Sequence, residues 1–211
     1  MSLANELSSG IEQLGLSVSH ETQIRLLDYL DLLVKWNKVY NLTAIRDPGQ
    51  MVIHHLLDSL AVLPYMGTGK WLDVGSGAGL PGLVVAIAQP DWTIAVLDSN
   101  SKKTGFMQQA VIEMNLSNVQ VICARVEDFR PAEKYDGIIS RAFTELGDFL
   151  RITRHLIADN GRWLAMKGMP EPELAGIPKD SLIEKIIPLS VPGLDAARCL
   201  VTAIPLKEHS A

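Results

Sequence analysis

Cysteine is nearly absent: the 211-residue chain has two, Cys123 and Cys199, far apart in sequence. Their spacing matches no paired metal or redox motif. Both lie in apolar runs, Val121-Ile122-Cys123 and Cys199-Leu200-Val201, so reduced core residues are expected. Also missing is any apolar run near the roughly 18 residues of a membrane span. The opening segment MSLANELSSG has neither the basic start nor the apolar block of a signal peptide, and a cytoplasmic protein is expected. Charge of one sign is not in strong excess: a net charge of −5 excludes a polyelectrolyte-like basic domain, so a nucleic-acid partner requires a local basic face. Internal repeats, low-complexity tracts and long linkers are absent too, and Lys207 to Ala211 reads as a frayed tail.

What is present is a 47% hydrophobic composition, enough for one domain of about 150 residues plus an extension. Up to Met66 the apolar spacing is helical. Ser19 is placed to cap a helix carrying Ile24, Leu27, Leu30 and Val34 on one face. Asp47-Pro48 opens another, with Val52, Leu56, Leu60 and Leu63 on one side, and Tyr40-Asn41-Leu42-Thr43 between them reads as a loop. After Gly67, short β-rich runs alternate with helical stretches: Trp71 to Val74, Thr93 to Leu97, Val119 to Cys123, Gly137 to Ser140 and Trp163 to Met166. This alternation predicts an α/β fold with a parallel sheet and right-handed crossovers. Leu182 to Leu189 and Cys199 to Ile204 are separated by a short segment containing Pro192-Gly193, too short for a helical crossover, and should pair antiparallel.

The stretch WLDVGSGAGLPG, Trp71 to Gly82, joins the first strand to the next helix. Glycines there permit positive φ, let the main chain approach a ligand and aim helix N-terminal amides at polar groups; Pro81 is expected as the first helical residue. Gly77 to Gly82 satisfies the G-x-G-x-x-G dinucleotide pattern, while Gly75, Gly77 and Gly79 satisfy the G-x-G-x-G turn of adenosylmethionine-dependent methyltransferases. Three neighbours favour the second. Asp73 is suited to a ligand's ammonium group and unsuited to a pyrophosphate, because like charges at close range repel. Asp98, ending the second strand, can accept both ribose hydroxyls, which suits either cofactor, and adds a site at a second strand end. Val126-Glu127-Asp128-Phe129 follows the third strand, where an adenine would be held.

Together with these, Trp36-Asn37, Asn41-Leu42-Thr43, His55-x-x-Asp58-Ser59, Asp98-Ser99, Ser140-Arg141-Ala142-Phe143 and Lys167-Gly168 occur in one order. In that combination the whole chain resembles the ribosomal RNA small subunit methyltransferase G family, also called glucose-inhibited division protein B. The resemblance implies a Rossmann-like class I methyltransferase fold. Its expected parts are a mostly parallel seven-stranded sheet with a C-terminal antiparallel hairpin over residues 67–211 and an N-terminal helical extension over residues 1–66. It implies methyl transfer from S-adenosyl-L-methionine to N7 of a guanine in the 530 loop of bacterial 16S rRNA, within the 30S subunit or its precursor, by a monomer without metal. It also implies that Gly75, Leu80, Val126, Glu127 and Arg141 contact the cofactor, with Asp98 on its ribose. The chain departs from the family where a Lys-Arg pair usually opens the helix after Asp98: here stand Lys102-Lys103, with Gly105 in the helix interior. Lysine lacks the bidentate fork of arginine.

The residues fit this chemistry. Guanine N7 has an in-plane lone pair and no proton, so attack on a sulfonium methyl needs alignment and no general base. After the fourth strand stands Ser140-Arg141-Ala142-Phe143, neither the Asn/Asp-Pro-Pro-Tyr of exocyclic amine methylation nor a cysteine nucleophile. Arg141 or Lys167 could donate to O6 and orient the base. Phe143 could stack on it, or else pack beneath the following helix. His54 and His55 lie about 100° apart on a helix, poorly placed to share a metal, and a His55–Asp58 hydrogen bond is expected. RNA contacts are sought first at Lys102, Lys103, Arg125, Arg141, Lys167 and Arg198, then at Lys35, Lys38 and Arg46. A nucleotide-dependent oxidoreductase and a non-enzymatic adenosylmethionine-binding module remain as alternatives.

Overall fold

The computed structural model describes residues 2–206, apart from the side chains of residues 171 and 172. The expected tail at Lys207 to Ala211 therefore lies outside the described residues. Helix α1 (Leu3–Gln13) begins at Ser2, whose side chain accepts from Asn5 N. Ser19 caps α2 (His20–Tyr40) as expected, its Oγ 3.1 Å from Thr22 N. Asp47 caps α3 (Pro48–Met51), which runs on through a π-helical segment (Val52–Leu57) into α4 (Asp58–Leu60) and, after it, a 3-10 turn (Leu63–Tyr65). Among the described residues no helix is long and apolar enough to cross a membrane.

From Lys70 onward the elements are β1 (Lys70–Val74), α5 (Gly82–Ala88), β2 (Thr93–Asp98), α6 (Ser101–Glu113), β3 (Val119–Cys123), β4 (Tyr135–Arg141), α7 (Leu146–Thr153) and β5 (Ile157–Lys167). A second 3-10 turn (Glu171–Gly176), β6 (Ser181–Pro188) and β7 (Cys199–Pro205) follow. The seven strands lie in the order β3-β2-β1-β4-β5-β7-β6. β1 to β5 are parallel, and β7 inserts antiparallel between β5 and β6. Between β1 and β4 the connections depart in opposite directions, and at that switch point an open α/β sheet leaves a crevice at its carboxyl edge.

Strand period decides which side chains reach each face. Trp71, Ile139, Leu164, Met166 and Leu200 join one core cluster with Leu26, Tyr29, Leu33, Val84 and Phe106 from the helices. Their strand neighbours Leu72, Ile138, Trp163, Ala165 and Val201 join the opposite cluster with Phe149 and Leu150 of α7. The N-terminal helices thus share one continuous apolar core with α5 and α6.

Several local expectations need correction. The buried residues of α2 are Leu26, Tyr29, Leu30, Leu32, Leu33 and Asn37, while Ile24 is 48% exposed. Packing against α1, α5 and α6 turns the helix toward two residues with polar heads, which a purely apolar pattern does not weigh. Tyr40 closes that helix, and the loop starts at Asn41, left-handed at φ 50. Pro81 flanks α5 after a cis Leu80–Pro81 bond and is not its first helical residue. No helix separates β3 from β4, only turns through Val126 to Asp128. Cys199 is buried, but Cys123, at the end of the edge strand β3, is exposed.

Candidate active site at the switch point

The glycine turn is held from below and behind. Gly75 N and Ser76 N both donate to Leu97 O, at 2.9 and 3.1 Å, which fastens the turn to β2. The Ser76 hydroxyl donates to Asp73 O and accepts from Leu97 N. Tyr29 of α2 donates its hydroxyl to Ala78 O at 2.6 Å, and burial pushes that phenol above its ordinary range. Gly75, Gly77 and Gly79 have φ of 70, 60 and 84°, open to glycine and strained for other residues. A Cβ on Gly75 would run into the Phe143 ring, whereas one on Gly77 would meet no atom closer than 3.9 Å. The Gly77 backbone therefore borders open space.

Two cavities of about 320 Å³ each adjoin here, within the size range of small-ligand sites. The first is lined by residues after three successive strands: Gly75 after β1, Asp98 and Lys103 at β2 and α6, and Arg125, Val126 and Glu127 after β3, with Phe143 closing one side. Val126 and Glu127 lie in the turns that join β3 to β4. The second is lined by Thr43, His54, His55, Gly77, Leu80, Arg141 and Arg198, among others. Gly75, Lys103 and Ala142 border both. Ala142 has φ 52, a left-handed conformation costing a non-glycine residue about 1 kcal/mol, and this turn separates Arg141 from Phe143.

The expected residues divide as follows. Asp98 Oδ2 accepts from Gly77 N at 3.0 Å and lies 3.7 Å from Lys103 Nζ, while Oδ1 accepts from Asn100 N. Asp73 is fully buried behind the turn. Its Oδ2 accepts from Gly82 N at 2.8 Å, and its Oδ1 has no partner. Burial raises its pKa from 3.8 to about 7, against the opposing bond from Gly82. Gly79 shapes the turn without lining either cavity, and Lys102 lies outside both. Phe143 is 36% exposed beside Gly75, not packed beneath α7. Lys167 lies apart from both cavities, its Nζ 2.6 Å from Thr144 O and 2.7 Å from Glu173 Oε2. Lys35 and Lys38 are exposed on α2, and Arg46 is engaged by Asn37 O and Asn41 Oδ1.

The expected His55–Asp58 bond is replaced by another network. His55 Nε2 pairs with Thr43 Oγ1 at 2.9 Å, and burial, aided by the nearby Arg141 charge, lowers its pKa to about 4. Asp58, fully buried, accepts from Arg141 Nη1 at 2.9 Å and from Arg198 Nε at 3.1 Å. Sequence reasoning paired Asp58 with the nearer histidine because the two arginines arrive from 83 and 140 positions away. Tyr29 was missed as well, since a tyrosine in an apolar helical stripe gives no signal of its carbonyl partner.

Comparison with known proteins adds the lineage. A family model described as rRNA small subunit methyltransferase G matches residues 22–201. Proteins called ribosomal RNA small subunit methyltransferase G from Laribacter hongkongensis and Neisseria meningitidis are 52% and 51% identical, each covering 95% of this chain and 98% of the relative. One from Pseudomonas aeruginosa is 51% identical, with 94% of both chains covered. Among solved structures, the N-methyltransferase NodS from Bradyrhizobium japonicum, in complex with S-adenosyl-L-homocysteine, superposes with TM-score 0.57 at 13% identity, covering 82% of this chain and 100% of that one. TrmN from Thermus thermophilus gives TM-score 0.56 at 17% identity, covering 81% and 53%. At those identities the likeness concerns the fold, which is that of class I methyltransferases. With a family model spanning most of the chain and relatives matching over nearly their whole length at about half identity, this protein belongs to the rRNA small subunit methyltransferase G family.

Proposed function

We propose that this chain is a 16S rRNA (guanine-N7)-methyltransferase acting on a guanine of the 530 loop, with S-adenosyl-L-methionine as methyl donor. The observation that carries this reading is the pair of adjoining cavities at the carboxyl edge, one bordered by a strand-end acid and the other by two arginines. The residues fit the donor. Asp73 lines neither cavity and supports the turn through Gly82 N, and its unpartnered Oδ1 is the acceptor proposed for the donor's ammonium group. The Gly77 backbone borders open space where a side chain would intrude. Asp98 stands where ribose hydroxyls would be accepted, and Val126 and Glu127 where adenine would lie. When bound, the donor supplies a methyl group activated by its attachment to positively charged sulfur.

The chain's own task is then alignment. Gly75, Leu80 and the turn hold the amino-acid end, and Arg141 stands at the boundary with the second cavity, ready to donate to an acceptor there. Guanine N7 carries no proton, so no base is required, and His55, neutral near pH 7, serves the site through its bond to Thr43. Phe143 borders the cofactor side, where its ring limits the space above Gly75. Arg125, Lys103 and Arg198 supply local positive charge, and Lys102 extends it along α6. An overall charge of −5 disfavours naked RNA, so the proposed partner is 16S rRNA shaped within the 30S subunit or its precursor, met in the cytoplasm by a monomer.

The test is to incubate the protein with methyl-labelled donor and small subunits lacking the modification, then map the label. We expect 7-methylguanosine in the 530 loop, lost on gene deletion and restored by wild type but not by Gly75→Asp. Label elsewhere, or equal methylation of a short free RNA loop, would overturn the site or the need for the assembled particle respectively.

A further inference from the structure

Within the π-helical segment, the chain departs from the ordinary i−4 pattern at the residue where the site needs it. Asp58 N bonds to Ile53 O and His55 O, bypassing His54 O. That carbonyl instead accepts from Arg141 Nη1 at 2.7 Å, and the Asp58 carboxylate accepts from the same nitrogen at 2.9 Å. π-Helical turns recur at functional sites because they redirect backbone groups in this way. The other Asp58 oxygen takes Arg198 Nε. One carboxylate thus binds two guanidinium groups, one ending β4 and the other preceding β7. These strands are separated in the sheet by β5, so side-chain contacts, not ladder bonds, tie them at this edge. Both arginines line the second cavity, while Asp58 lines neither cavity and is fully buried. Two cations on one anion leave a net positive charge, with Arg141 Nη2 and Nε and Arg198 Nη2 not used by these bonds.

Resting on the methyl transfer proposed above, we infer that Asp58 is a positioning residue. Its buried carboxylate and the bypassed His54 carbonyl fix Arg141 and Arg198 as one convergent donor pair on the second cavity. The pair takes the acceptor atoms of an RNA nucleotide, base oxygen and phosphate together. Asp58 touches neither substrate and acts through the arginines. An unheld arginine keeps its charge but loses its direction, and a misplacement of about 1 Å is enough to slow alignment-limited chemistry about a hundredfold.

The experiment combines Asp58→Asn, Arg198→Met and the double variant in the full chain. Methylation of unmodified small subunits is measured alongside side-chain NMR of the arginine guanidinium groups. Asparagine replaces one acceptor by a donor, so it can hold only one arginine. We expect Asp58→Asn to lower the rate about a hundredfold and the double variant to fall no further, because both changes break the same pair. Arg141 and Arg198 should both show hindered Nη rotation in the wild type, and Arg141 should keep it in Arg198→Met. Additive rate losses, or freely rotating guanidinium groups in the wild type, would overturn the inference. If Asp58→Asn does not fold, the wild-type and Arg198→Met spectra still decide whether the pair is held. If wild type methylates no small subunit while both guanidinium groups are hindered, the functional reading fails and the clamp itself stands.

Discussion

Phe143 lies against Gly75 so closely that the turn has no room for a Cβ beneath the ring. Gly75 also has φ 70, so Gly75→Ala combines a steric conflict with backbone strain. We expect it to destabilise the protein by about 1–3 kcal/mol and to weaken adenosylhomocysteine binding about tenfold or more. Adding Phe143→Ala removes the conflict and leaves the strain, so stability should recover only in part. Thermal melts and calorimetry check both; wild-type binding by Gly75→Ala would detach this contact from the cavity.

Tyr29 reaches from the N-terminal helices to the carbonyl of Ala78. Tyr29→Phe leaves that buried carbonyl without its donor and should cost about 1–2 kcal/mol in denaturant unfolding. Ligand affinity should fall with it, because the turn loses its support. Unchanged stability would mean that the bond contributes nothing net.

Asp73 gives a pH signature. Its folded pKa of about 7 lies above the ordinary 3.8, so between about pH 4 and 7 the unfolded chain gives up this proton more readily than the folded one. The Asp73 contribution to stability therefore falls as pH rises through that window and stays low above it. Asp73→Asn lacks this titration, and an asparagine oxygen can still accept from Gly82 N. The stability difference should shift toward the variant from pH 4 to 7 and then level off, while adenosylhomocysteine binding at pH 8 weakens. A pH-independent difference would refute the raised pKa.

Lys167 separates a structural from a substrate-facing role. Its Nζ joins Thr144 O and Glu173, well tied to the segment between β4 and α7. Lys167→Met should lower stability by about 1–3 kcal/mol by leaving Thr144 O without this donor and removing the cation from Glu173, whose Oε2 keeps only Leu146 N. Methylation should then decline in step with the melting temperature. A large loss of methylation at unchanged stability would instead place Lys167 on the substrate.

Much of the architecture was legible in the sequence because period-two and period-3.6 patterns report which faces are buried. The five parallel strands and the terminal hairpin follow from those patterns and from the connection lengths. Ser19 and Asp47 were readable as caps because their side chains bond backbone only three residues on. The glycine turn and Asp98 were legible as the border of a cavity because they stand at strand ends, whereas Asp73, read as a ligand partner, lines neither cavity and bonds Gly82 N behind the turn.

What tertiary structure alone decided are the relationships between distant parts of the chain. Whether Asp58 serves His55 or two arginines depends on how β4 and β7 arrive at the π-helical turn, which no local spacing encodes. The exposure of Cys123 depends on β3 being the sheet edge, and the tilt of the α2 stripe on what packs around it. Local propensity fixes short-range geometry through backbone sterics and nearby hydrogen bonds; partner choice among buried charges is fixed only when the whole core closes and each group must find a partner away from water.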